Sequence, residues 1–126
     1  MPEEGHLRRL LPIIRGLNAR GHPVHVFTHE RFRPQVDSAG GAFADLFSAW
    51  PLAAADAESR PVPCRYVSFA GHYAADILRE VHRLRPALVV YDSFAVIGQV
   101  IARGLGVPGV NVCAGHNVNP TVFLAQ

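Results

Sequence analysis

Pro86-Ala87-Leu88-Val89-Val90-Tyr91-Asp92-Ser93-Phe94 is the stretch on which the fold turns. Pro86 stops the helix before it, and Ala87 to Tyr91 is a continuous apolar run of strand length that ends on an acidic residue. A strand with one wet face would alternate apolar and polar residues, whereas a continuous run suits a parallel strand covered on both faces. Phe94 to Leu105 then reads as a helix, with Ile97 and Ile101 four apart and Gly104 and Gly106 at its end, and Val107 to Cys113 as the next strand. Strand, helix and strand at this spacing form a βαβ unit, because parallel neighbours need a crossover connection.

The same alternation extends toward the N-terminus. Between Tyr66 and Arg85, Phe69, Tyr73, Ile77, Val81 and Leu84 recur at helical spacing and predict a long amphipathic helix. Residues 47–63, with Pro51, Pro61 and Pro63 around an alanine-rich middle, read as an irregular excursion from the sheet. Ala42 to Leu46 is a strand, preceded by a short helix between Glu30 and Ala39 that Gly40-Gly41 closes. Val24 to Thr28 is another strand, and Leu7, Leu10, Leu11, Ile14 and Leu17 mark the buried face of a first helix ended by Arg20-Gly21. The pattern predicts one α/β domain: a Rossmann-like, doubly wound parallel sheet with helices on both faces. There is no internal repeat.

Composition narrows the function. The 126 residues, 49% hydrophobic and 17% charged, are enough for one folded domain and too apolar for a disordered chain. Twelve basic residues, all arginine, against ten acidic ones are scattered along the chain, so no basic stripe points to nucleic acid. The longest apolar region, Ala87 to Gly115, is interrupted by Asp92, Gln99 and Arg103 and cannot form an uninterrupted membrane span. Only two cysteines, Cys64 and Cys113, argue against a disulfide scaffold, and an acidic start without an apolar core is not a signal peptide. The expected protein is soluble and cytoplasmic.

The letters Gly104-x-Gly106-x-x-Gly109 match a dinucleotide fingerprint, but these glycines close a helix and lead into a strand. The fingerprint needs the reverse order, because the pyrophosphate sits on the amides that open a helix. Asp92 lies where a parallel strand ends, which is where open α/β sheets hold ligands; the same position equally suits an N-cap for the helix starting near Phe94, a role open to Ser93 as well. His6 precedes the first helix and could project over that edge. His22 and His25 are three apart along an extended segment, which sends them to opposite faces, so with His29 they are not expected to converge on a metal ion. His72 and His82 fall on different sides of the long helix, while His116 follows a strand at the ligand-binding edge. No G-x-S-x-G elbow is present and neither cysteine has a nucleophile's local pattern.

Gly5-His6 with an apolar helix after it, then Leu17-Asn18-Ala19-Arg20-Gly21-His22-Pro23-Val24-His25-Val26-Phe27-Thr28 and Arg31-Phe32-Arg33-Pro34-Gln35-Val36, are arranged as in one family. With Arg85 to Phe94 and Ile101-Ala102-Arg103-Gly104-Leu105-Gly106-Val107-Pro108 in the same order, nearly the whole chain resembles the N-terminal, acceptor-binding domain of GT-B glycosyltransferases. The likeness is to the UDP-glycosyltransferase superfamily, especially its bacterial macrolide and antibiotic enzymes. It implies that His6 is the general base and that Asp92 orients it. The reaction implied is inverting transfer from a nucleotide diphosphate sugar, a co-substrate, to a hydroxyl of a small lipophilic acceptor such as a natural-product aglycone. An apolar acceptor pocket is implied too, walled by the 47–63 excursion, Tyr66, Phe69, Tyr73, Ser93, Phe94, His116 and Asn117. No cofactor belongs to this chain.

Two departures accompany the resemblance. In the family a central strand precedes the Gly-His pair, whereas only Met1 to Glu4 do so here, and the family's proline four residues beyond that pair is displaced to Pro12. The C-terminal domain that binds the nucleotide sugar is also missing from residues 1–126. The expectation is therefore a single partial domain, its sheet incomplete, from a fragment or a gene product with a mis-set start and inactive alone. The alternative is a non-catalytic domain that binds a hydrophobic ligand or pairs its exposed sheet edges with another chain or a copy of itself. A Rossmann-type cofactor enzyme is disfavoured by the failed glycine motif.

Overall fold

The computed structural model of the chain describes residues 4–51 and 61–113. Helix α1 runs over Glu4–Ala19, strand β1 over His25–Thr28, a 3-10 turn over Glu30–Phe32 and helix α2 over Arg33–Ser38. Strand β2, Ala42–Asp45, leads into the short helix α3, Leu46–Ala49; the long helix α4, Val62–Arg83, strand β3, Val89–Asp92, helix α5, Val96–Leu105, and strand β4, Gly109–Val112, follow.

Among the described residues the strands pair in parallel as two sheets of two, β1 with β2 and β3 with β4, and no backbone ladder joins the sheets. This is a partial Rossmann-like arrangement, with each parallel pair connected through a helix. Helices cover opposite faces of β1, as its period-two geometry requires. Val26 packs against the cluster of Leu7, Phe32 and Val36 from α1 and the α2 region. Phe27, one residue on, packs against the larger core of Leu46, Tyr66, Phe69, Ala70, Ile77, Val81, Ile97 and Ile101, which Val89 of β3 also joins.

Several boundaries differ from the sequence reading. Helix α1 begins at Glu4, so His6 lies in its first turn and not in a loop before it. Pro12 stands inside this helix, on its exposed side, where it leaves the Arg8 carbonyl without its usual helical partner. The predicted helix over residues 30–39 is a 3-10 turn followed by α2, because Pro34 is tolerated only in a helix's first turn. Leu46 opens α3 and does not end β2, since the Asp45 carboxylate caps the Phe47 and Ser48 amides at 3.0 and 3.1 Å. The start of the predicted 47–63 excursion is thus helical, its end opens α4, and its middle lies outside the described residues. Leu84, expected on the buried face of α4, is 39% exposed.

Gly106 ends α5 in the left-handed conformation, φ 68°. Its amide donates to the Arg103 carbonyl at 3.2 Å and the next amide, of Val107, to the Ala102 carbonyl at 3.0 Å, which turns the chain into β4. The glycine motif is therefore a helix stop. Gly98 has a different use: a β-carbon there would lie 2.3 Å from Tyr91 Cβ, so its absence lets α5 pack directly on β3. Helix α5 thereby lies directly against β3, reached from Asp92 through the turn at Ser93 to Ala95.

Candidate functional site

Among the described residues, Thr28, Asp45, Asp92 and Val112 end the parallel strands, so they mark the carboxyl edges of the two sheets. Asp92 is 3% exposed there. Its Oδ1 accepts the Phe94 amide at 2.8 Å and the Ala95 amide at 3.1 Å, a tight turn that precedes α5. Asp92 is therefore not the N-cap of a helix starting at Phe94: α5 starts at Val96 with Ala95 as its N-cap and no side-chain cap, and the carboxylate caps the turn before it. Capping and a ligand-edge position are compatible, because the same oxygen has a third donor.

That donor is His6. Its Nδ1 lies 3.1 Å from Asp92 Oδ1, across 86 residues of chain. A carboxylate offers only acceptors, so Nδ1 carries the hydrogen and donates it, which leaves the Nε2 lone pair of the neutral ring available. The imidazole keeps 15% of its surface exposed while its carboxylate partner is buried. Helix α1 is further tied to the β4 end of the sheet by the Arg9 guanidinium, which donates to the Cys113 carbonyl at 3.2 Å. The arrangement provides a partly accessible base whose other nitrogen is held by a buried acid.

Aromatic rings surround this pair. His6 stacks on Phe94 with centroids 4.6 Å apart and planes 29° from parallel, and Phe94 lies 6.0 Å and 25° from Tyr66. A second run passes from His29 to Phe47, Phe69 and Tyr73 at successive centroid distances of 6.1, 5.6 and 5.1 Å. The Tyr73 hydroxyl donates to the Pro51 carbonyl at 2.9 Å.

Among the residues expected to wall an acceptor pocket, Tyr66 and Phe69 are 2% and 3% exposed and belong to the core. Tyr73 and Phe94 are half-buried, and Ser93 is exposed, with its hydroxyl 3.5 Å from Asn111 Oδ1. His116 and Asn117 lie outside the described residues. Phe47 falls at the start of the 47–63 excursion expected to wall the pocket, whereas the sequence reading weighs His29 only as a metal ligand; the signal available for His29 was that it directly follows the end of β1. Among the described residues no group of three or more His, Cys, Asp or Glu could hold a metal ion, and no helix is long and apolar enough to cross a membrane.

No protein-family model matches the chain. Over its whole length it is 26% identical to the NDP-glycosyltransferase YjiC of Bacillus subtilis (strain 168), covering 33% of that protein. Its fold is similar to the glycosyltransferase of kitacinnamycin (TM-score 0.77, 22% identity, 98% of this chain and 31% of that one). It is similar as well to CalG4, the calicheamicin glycosyltransferase (TM-score 0.74, 25% identity, 94% and 30%). The spinosyn rhamnosyltransferase SpnG, solved with spinosyn aglycone, superposes with a TM-score of 0.62 at 26% identity over 96% of this chain and 34% of that one. The chain thus spans about a third of the length of these proteins. In sequence and in fold, it is similar to the N-terminal part of the GT-B glycosyltransferases that act on macrolides and antibiotics.

Proposed function

We propose that this chain is the acceptor-binding part of an inverting glycosyltransferase, a cytoplasmic enzyme that moves a sugar from a nucleotide diphosphate to a hydroxyl of a small lipophilic acceptor. The observation that carries the reading is the 3.1 Å contact between His6 Nδ1 and Asp92 Oδ1. The likeness to glycosyltransferases covering a third of their length supports it, and the donor site belongs in this proposal to a further domain of the complete gene product.

An acceptor hydroxyl is a poor nucleophile at neutral pH. His6 Nε2 takes its proton as the oxygen attacks the anomeric carbon, while Asp92 fixes the tautomer and stabilises the imidazolium that forms. One bond forms between the acceptor oxygen and the anomeric carbon. The bond from that carbon to the diphosphate breaks, its electron pair leaves with the nucleotide, and attack from the opposite side inverts the configuration. In this reading the half-buried rings of Phe47 and Tyr73 supply the apolar surface that a lipophilic acceptor requires.

The test is an assay of the complete gene product with nucleotide diphosphate sugars and a panel of hydroxyl-bearing lipophilic acceptors. The expected result is a glycoside of inverted configuration, made by the wild type and not by His6→Ala. Acceptor binding without transfer under any donor would favour a non-catalytic binding domain instead.

A further inference from the structure

The geometry points to Phe94 as the residue that positions the His6 imidazole, a role distinct from lining the acceptor pocket and one that rests on His6 being the base. One hydrogen bond to Asp92 sets the distance and the tautomer but leaves the ring able to swing about the Nδ1 to Oδ1 axis. A second contact is needed to fix its plane. The Phe94 ring supplies it, stacked on the imidazole at 4.6 Å and 29°. Phe94 does not float: it lies 6.0 Å and 25° from Tyr66, which is 2% exposed in the core. The three rings form a stack anchored at one end in packed side chains and carrying the imidazole at the other.

Phe94 also acts through its backbone. Its amide donates to Asp92 Oδ1 at 2.8 Å, the same oxygen that receives His6. One residue therefore holds both members of the pair, the carboxylate by its N–H and the imidazole by its ring face. Only the ring can be removed by substitution, so the two roles separate experimentally. The negative face of the ring also favours a cation, so the stack strengthens as His6 takes a proton from the acceptor, which places its effect in the transition state.

The experiment combines ring NMR of His6 in this chain with steady-state kinetics of the complete gene product for Phe94→Leu and Phe94→Tyr, both of which keep the backbone amide. In the wild type and Phe94→Tyr, the carbon-bound ring protons of His6 are expected upfield and the Nδ1–H signal is retained. In Phe94→Leu the upfield shift disappears and the Nδ1–H signal is lost to exchange, while kcat falls about tenfold with KM unchanged, and Phe94→Tyr restores it. Unchanged His6 signals in Phe94→Leu would overturn the assignment, as would a raised KM at constant kcat, which would make Phe94 an acceptor wall. The NMR arm does not depend on sugar transfer, so an inactive enzyme with the expected His6 signals would count against the proposed reaction and not against the stack.

Discussion

Asp45 and Asp92 each close a parallel strand, and each is followed two residues later by phenylalanine. Their local chemistry is nearly the same: the Asp45 carboxylate accepts the amides of Phe47 and Ser48, and the Asp92 carboxylate those of Phe94 and Ala95. A histidine ring even approaches each phenylalanine. His29, however, meets Phe47 at 6.1 Å and 39°, and its Nδ1 is already an acceptor for the Arg31 amide, so that nitrogen cannot donate to Asp45. His6 meets Phe94 at 4.6 Å and donates to Asp92. The difference shows that a strand-end aspartate is a capping residue by default. What makes Asp92 a candidate for chemistry is an imidazole brought from the other end of the chain and oriented by a ring.

His6→Ala has the largest expected effect. Transfer by the complete gene product is expected to fall by about 10²–10⁴-fold, the usual contribution of a positioned general base, beside a stability loss of only about 1–3 kcal/mol from the donor that buried Asp92 loses. Asp92→Asn comes next. Asparagine caps as well as aspartate, so stability by denaturant titration should move by less than ~1 kcal/mol, whereas lost tautomer control and imidazolium stabilisation should lower kcat by about 10² or more. Gly98→Ala attacks the frame beneath the pair, because the added carbon meets Tyr91; unfolding in urea should show a loss of about 1–3 kcal/mol. Smallest is Asp45→Ala, where a lost cap should cost ~1 kcal/mol in the same titration and leave turnover unchanged.

Much of this frame was legible in the residues. The run from Ala87 to Tyr91 gives β3, and the four-residue spacing of Ile97 and Ile101 gives the buried face of α5, since periodicity reports burial directly. Gly106 was readable as a helix stop because few other residues take its backbone angle without strain. Helix starts were less legible. The N-terminal turn of α1 lacks apolar periodicity, so His6 reads as a loop residue although it is helical. The division into two sheets was hidden too, because strand pairing depends on which edges meet and not on local composition. For the site, the residue types and the sheet edge were legible, and resemblance linked His6 to Asp92. The stack of His6 on Phe94 and Tyr66 was not readable, since it depends on how α1, α4 and the turn after β3 converge, which no local pattern encodes.

The most direct measurement is the turnover number of the complete gene product carrying Asp92→Asn, set beside that of Asp45→Asn with the same donor and acceptor. Both variants preserve a cap at a strand end, so folding is matched and only the imidazole differs. A loss of about 10² or more is expected in the first and none in the second. Equal turnover in the two would mean that His6 and Asp92 touch without taking part in sugar transfer.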